Sequence, residues 1–183
     1  MNYKNYQNAR DAAWRLLIDM EIRELPVRTG EICRALGIPV RLYAPKGEGD
    51  GMSMMIGGRP TIFVSRNAPP ARQRFTLAHE LGHVLLGHVG RYELVNREPS
   101  AQDNQVEQAA NVFASRLLAP ACVLWGCGAK TAEEIAALCE ISLPAAQYRA
   151  ARMAELYRRD KFLTSPLERQ VYLQFADYIA AHR

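Results

Sequence analysis

One change of period decides what this chain can fold into. Along most of its 183 residues, apolar side chains recur every three or four positions, the spacing of one helix face. Between Ile38 and Ser65 they do not. "IPVRLY" and "MSMMIGGRPTIFVS" are short strand-like runs, the second folded about Gly57-Gly58, a hairpin signal because glycine tolerates positive φ. Pro60 cannot donate to a ladder, so it belongs at a strand start or on an edge. The expected fold class is α+β: helices, a small antiparallel sheet, then helices only.

The helical parts carry their own punctuation. Ala12, Ala13, Leu16, Leu17, Met20 and Leu25 predict a first helix over residues 8–24, stopped by Pro26. Thr29 caps a short second helix through Leu36, ended by Gly37. "NAPPARQRF" opens a third, with proline near its first turn, that runs to about Gly87 or Gly90. After the loop "GRYELVNREP", Ser100 with Asp103 begins a fourth, lasting to Leu118 and Pro120. "CVLWGCG" reads as a connection. Thr131 with Glu134 forms a capping box, a further helix spans Ser142 to Arg158, and Ser165-Pro166-Leu167-Glu168 caps the last. The boundary falls near residues 120–130, dividing a domain over 1–125 from a helical extension over 126–183.

Twenty-three basic against nineteen acidic residues leave a net charge of +4, too slight to argue for nucleic acid or membrane as a partner. Asp11 and Arg15 break the apolar residues of the N-terminal stretch, so it lacks a signal-peptide core. No uninterrupted apolar run approaches spanning length, and a cytoplasmic location is expected. Cys33, Cys122, Cys127 and Cys139 follow no disulfide framework. Cys122 and Cys127 lack a second Cys/His pair to complete a structural zinc site, and are expected as small, partly buried thiols.

The chemistry concentrates in "FTLAHELGHVLLGHVG", residues 75–90. Residues four apart on a helix differ by about 40° and rise about 6 Å, so His79 and His83 project side by side. Two such imidazoles can share one tetrahedral Zn²⁺ at about 2.0–2.1 Å each. Glu80, turned about 100° from His79, can reach an attacking water without being a ligand, as a general base must. Gly82 keeps the helix face narrow and lets another backbone approach. The same residues also fit an amphipathic helix with Leu77, Leu81, Val84 and Leu85 inward and the histidines on a polar face.

A catalytic zinc wants a third protein ligand and an open fourth position. His88 follows His83 with four residues between, and on a continued helix lies about 140° off the face, so it is not the expected ligand. "VEQAANVFASRLLAP" offers a better one. Glu107 can complete the coordination sphere, and Asn111, one turn later, can orient a ligand imidazole. Ala109, Ala110 and Ala114 allow this helix to pack closely; a solvated Glu on an amphipathic helix is the plainer alternative. The 52–64 hairpin can supply an extended edge for a substrate strand, or serve only core packing.

"LPVRTGEICRALGIPVRLY", "TIFVS", "RQRFTLAHELGHVLLGH" and "EQAANVFASRLLAP", in that order, resemble the ImmA/IrrE family of gluzincin-type metallopeptidases, closely over residues 25–120 and more loosely to about 155. The resemblance implies a zincin-like minimal metallopeptidase fold with zinc on His79, His83 and Glu107 and Glu80 as catalytic base. Mn²⁺ is the alternative metal. Several family members cut helix-turn-helix repressors of mobile elements or stress responses, which implies a protein substrate of that kind. Ala119 stands where the family often has Met, at a packing position. Peptide hydrolysis also needs a donor for the oxyanion, and Tyr92, His88 and Tyr148 are the candidates.

"TAEEIAALCEISLPAAQYRAARM" has the look of a helix-turn-helix, with Ala136 in the first helix, Ile141 in the turn, and Arg149 and Arg152 in the second. Against direct DNA binding stand Glu140 where Gly is usual, Pro144 early in the reading helix, and the slight basic excess. Leu167, Val171, Leu173, Phe175 and Ile179 fit core or protomer contact. The expected function is a zinc endopeptidase. Its competitors are a DNA-binding regulator and an antitoxin-like interaction module, each with a silent or structural metal site. A complete set of base and ligands argues against a vestigial site.

Overall fold

The structure, a computed structural model, describes residues 3–44, 50–90 and 101–183, with side chains from 105 onward in the last span. Its elements are α1 (Tyr3–Asp19), α2 (Thr29–Ala35), β1 (Val40–Tyr43), β2 (Gly51–Ile56), β3 (Arg59–Ser65), α3 (Pro70–Leu85), α4 (Ala101–Leu118), α5 (Ala121–Gly126), α6 (Ala132–Cys139), α7 (Leu143–Arg158), α8 (Pro166–Gln174) and α9 (Ala176–Ala181). The chain divides into two compact units: Met1–Ala12 with Arg28–Ala114, and Ala13–Val27 with Ser115–Arg183.

In the first unit a three-stranded sheet has the order β1-β3-β2. β2 and β3 form the expected hairpin, with Ile56 opposite Arg59 and both Gly57 and Gly58 at positive φ, as a two-residue turn of this twist requires. The sheet is mixed rather than wholly antiparallel, because Val40 to Tyr43 pair in parallel with Ile62 to Ser65. The reason is topological. β3 turns back on β2 and inserts beside β1, so β1 meets a strand that runs its own way. The central strand buries Ile62 and Val64, and α3 packs on β2, β3 and α2.

In the second unit the core gathers Leu16, Leu17, Leu117, Leu118, Leu124, Ile135, Met153, Val171 and Phe175. Three of its helices start where their hydroxyl residues predict. Thr131 and Glu134 complete a reciprocal capping box, and Ser142 and Ser165 accept from Ala145 and Glu168 N–H groups, filling donors a helix start leaves open. Glu140, between α6 and α7, is left-handed at φ 48°, the backbone conformation that explains why glycine is usual there.

Other boundaries differ from expectation. α1 starts at Tyr3 and ends at Asp19, before Pro26 can stop it, because the chain turns left-handed at Glu21. Thr29 is the first residue of α2 and not its cap; Arg28 occupies that position and makes no side-chain capping hydrogen bond. "CVLWGCG" is not a connection: α5 forms because Ala121 to Leu124 are all buried, and burial overrides the weak helical pattern of six residues. The last helix breaks at Phe175 into α8 and α9. Residues 105–126 pass as long and apolar enough to cross a bilayer, yet 72% of that apolar stretch is buried in the protein, as in a core helix. Glu107 and Arg116 hide it from a search for uninterrupted apolar runs. The start signals Ser100 and Asp103 fall outside the described side chains.

Candidate metal centre

α3 begins with Pro70 in its first turn, where a missing N–H is harmless, and runs unbroken through both histidines. One turn apart, the His79 and His83 rings lie 4.7 Å between centroids with their Nε2 atoms 3.0 Å apart. Glu107, from α4, bridges them: one carboxylate oxygen lies 3.2 Å from His79 Nε2 and the other 3.4 Å from His83 Nε2. Ligands about 2.0–2.1 Å from a tetrahedral zinc stand about 3.3 Å from one another. The three separations match that edge, and two imidazole nitrogens with one carboxylate are a zinc donor set. Among the described residues this is the group of His, Cys, Asp or Glu side chains arranged to hold a metal ion.

The close approach of α4 has a visible cause. A Cβ added at Gly82 would lie 2.9 Å from Phe113 Cδ1 and 3.3 Å from its Cβ, so the bare backbone of α3 receives the fully buried Phe113 ring. Ala109, Ala110 and Ala114 are buried on α4 beside it. One turn beyond Glu107, Asn111 Oδ1 lies 3.0 Å from His79 Nδ1. An amide oxygen only accepts, so His79 donates from Nδ1, and its Nε2 faces Glu107.

The imidazoles and the carboxylate also pair electrostatically. The hydrogen bond from His79, then that from His83, hold the Glu107 carboxyl well below the ordinary carboxylate range, although burial opposes them. Burial alone would depress His79, but the Glu107 hydrogen bond, the Glu80 and Glu107 charges and the Asn111 contact outweigh it and shift its pKa upward. The histidine side chains are 15% and 11% exposed and Glu107 58%, so the cluster opens to solvent on the carboxylate side.

Glu80 is 8% exposed and lies outside the ligand set: one carboxylate oxygen accepts from Ser53 Oγ on β2 at 2.7 Å. Sequence reasoning missed Ser53. The available signal was the pair Gly51 and Ser53, two small residues two apart and thus on one face of the strand. At Gly51 a Cβ would lie 2.3 Å from Thr76 and 3.5 Å from Glu80 Cγ, so that face lies directly on α3.

Of the remaining candidates, His88 alone among the described residues stays by the cluster. His88 is not on a continued helix, since α3 ends at Leu85, and its Nδ1 lies 3.1 Å from His83 Nδ1. Tyr92 lies outside the described residues. Tyr148 is on α7 and 78% exposed. Arg149, a base-reading residue in the helix-turn-helix view, is buried. All four cysteines are buried free thiols.

Residues 33–151, which span every member of the cluster, match the peptidase family described as the IrrE N-terminal-like domain. The chain belongs to this ImmA/IrrE family. It is also 33% identical over 98 residues to the radiation response metalloprotease IrrE of Deinococcus radiodurans. That alignment covers 48% of this chain and 29% of the relative, so the chain matches under a third of that relative's length.

Proposed function

We propose that this chain is a zinc-dependent endopeptidase, with His79, His83 and Glu107 as metal ligands, Glu80 as catalytic base and Asn111 orienting His79. The observation that carries the reading is the convergence of the two Nε2 atoms and the Glu107 carboxylate at tetrahedral spacing, with a separate buried carboxylate beside them. Zinc in such a site acidifies water and polarises a carbonyl. Glu80, outside the donor set, takes the proton from the attacking water and delivers it to the leaving amine. The Ser53 hydroxyl donates to one oxygen of that carboxylate, and Asn111, accepting from His79 Nδ1, keeps the Nε2 lone pair for the metal. β2 is an edge strand, and its backbone can receive an extended substrate by strand addition.

The substrate in this reading is a cytoplasmic protein, a helix-turn-helix repressor of the kind that the family resemblance implies. In this reading residues 1–125 form the zincin-like peptidase domain, and the helix-turn-helix-like extension over 126–183 helps to dock the partner. The burial of Arg149 counts against its reading DNA. Mn²⁺ fits the same donors less well than zinc, because it favours oxygen-rich coordination.

The test pairs metal content with cleavage. Zinc-loaded protein is incubated with helix-turn-helix repressors of the source genome and with a proteome-derived peptide library, and products are read by mass spectrometry. Glu80→Gln should keep stoichiometric zinc and lose cleavage; His79→Ala should lose the zinc. Equal cleavage by Glu80→Gln, or no cleavage of either substrate by the zinc-loaded wild type, refutes the peptidase.

A further inference from the structure

The end of α3 folds back on the ligand set. Leu86 is the C-cap, and Gly87 follows at φ +71°. The Gly87 N–H donates to the Val84 carbonyl at 3.1 Å and the His88 N–H to the His83 carbonyl at 2.9 Å. These two bonds define a Schellman turn, in which the second residue past the cap packs on the third residue from the helix end. That contact is ordinarily hydrophobic. Here both residues are histidines, and their Nδ1 atoms meet at 3.1 Å, with rings 5.2 Å apart and steeply inclined.

Two ring nitrogens at this distance share one proton, so one donates and the other accepts. His83 Nε2 faces His79 Nε2 and Glu107, where the proposed metal takes a lone pair. The His83 proton therefore sits on Nδ1 and is donated, and His88 presents the lone pair at Nδ1 with its own proton on Nε2. The opposite polarity would put the His83 proton in the middle of the donor set. Asn111 does for His79 what His88 does for His83.

We propose that His88 is a positioning residue, neither ligand nor oxyanion donor, which fixes the tautomer and ring angle of His83 from the helix terminator. This rests on the metal-site reading above, and the experiment separates the two. Zinc affinity of wild type, His88→Leu, His88→Asn and His79→Ala is measured by chelator competition, with Co²⁺ absorption reporting ligand geometry and circular dichroism reporting the fold. Removing an outer hydrogen bond to a metal-bound imidazole lowers affinity about 10–100-fold, the loss expected for His88→Leu. Asn places an oxygen where Nδ1 was, so His88→Asn should restore affinity to within a few-fold of wild type. Imidazole ¹⁵N spectra of the zinc-loaded wild type, which need no variant to fold, should show His83 protonated at Nδ1 and His88 at Nε2.

Wild-type affinity in His88→Leu, equal weakness in both His88 variants, or the reverse ¹⁵N pattern overturns the positioning role while leaving the metal site standing. A wild type that binds zinc no better than His79→Ala overturns the site itself, and the role of His88 with it.

Discussion

Gly82→Ala tests the contact that brings the third candidate ligand to the other two. The added Cβ would lie 2.9, 3.2 and 3.3 Å from Cδ1, Cγ and Cβ of Phe113, where carbon atoms ordinarily rest about 3.5–4.0 Å apart. All three atoms belong to the near, rigid part of the side chain, and the ring is fully buried, so it cannot swing aside. α3 and α4 must separate by roughly half an ångström to one ångström, and overpacking of this kind costs about 1–3 kcal/mol. The clash with three near atoms argues for the upper half of that range. Against it, Ala is a better helix former than Gly by about 0.8–1 kcal/mol. The balance is a destabilisation of about 1–2 kcal/mol, which for a chain of this size lowers the Tm by roughly 2–8 °C. Because Glu107 rides on α4, zinc affinity should fall together with the Tm, as read by thermal melts with and without chelator. A melting temperature equal to wild type or above it would mean that helix propensity governs the site, and that α4 does not approach α3 as closely as Phe113 indicates.

Four other changes have expected outcomes. Ser53→Ala strips the buried Glu80 carboxylate of the Ser53 hydroxyl donor and should destabilise by about 1–3 kcal/mol, seen in urea titrations, with zinc stoichiometry unchanged. Gln174 donates to the carbonyls of Leu17 and Ile22 at 2.7 and 2.6 Å; Gln174→Leu leaves both without that partner and should cost about 2 kcal/mol by the same assay. Thr131→Ala removes one half of the capping box and should lose about 1 kcal/mol, measured by circular dichroism melts. Burial pushes the Cys33 thiol up to about 11 and, with the Glu168 charge adding to it, Cys122 up to about 12, from 9.0. The folded state keeps these protons longer than the unfolded one. Stability from them is therefore intact below pH 9 and declines as pH rises toward 11–12. The urea midpoint should drop across that window, less steeply in Cys33→Ala with Cys122→Ala, and a thiol reagent at pH 8 should label neither residue before unfolding.

Much of the fold was legible because short-range rules set it. The glycine pair fixed the β2–β3 hairpin, and Thr131, Ser142 and Ser165 started their helices as hydroxyl caps do. The direction of β1 was not legible, since pairing it with β3 rather than β2 depends on which strand inserts between which, and no residue of "VRLY" records that. α5 was missed for a related reason: six residues are too few for a period to show, and their helix is imposed by burial on every side. Helix ends such as Glu21 were missed because a non-glycine residue in the left-handed region carries no composition cue.

The candidate site divides along the same line. His79, Glu80 and His83 share one helix, so their mutual geometry follows from 3.6 residues per turn. Glu107 and Asn111 are one turn apart on a second helix, readable as a pair once that helix is assumed. The groups that aim these side chains arrive from outside both helices, Ser53 from a strand and His88 from beyond a terminator. Yet the second was within reach. Gly87 follows an apolar helical run, the residue after such a glycine lands on the third residue from the helix end, and here counting back from it reaches His83. Extending α3 through His88 sent that side chain about 140° away; stopping the helix at its glycine returns it to the donor atoms. The stop signal and the ligand geometry are thus one inference, because where a helix ends decides which side chain meets the imidazole one turn inside it.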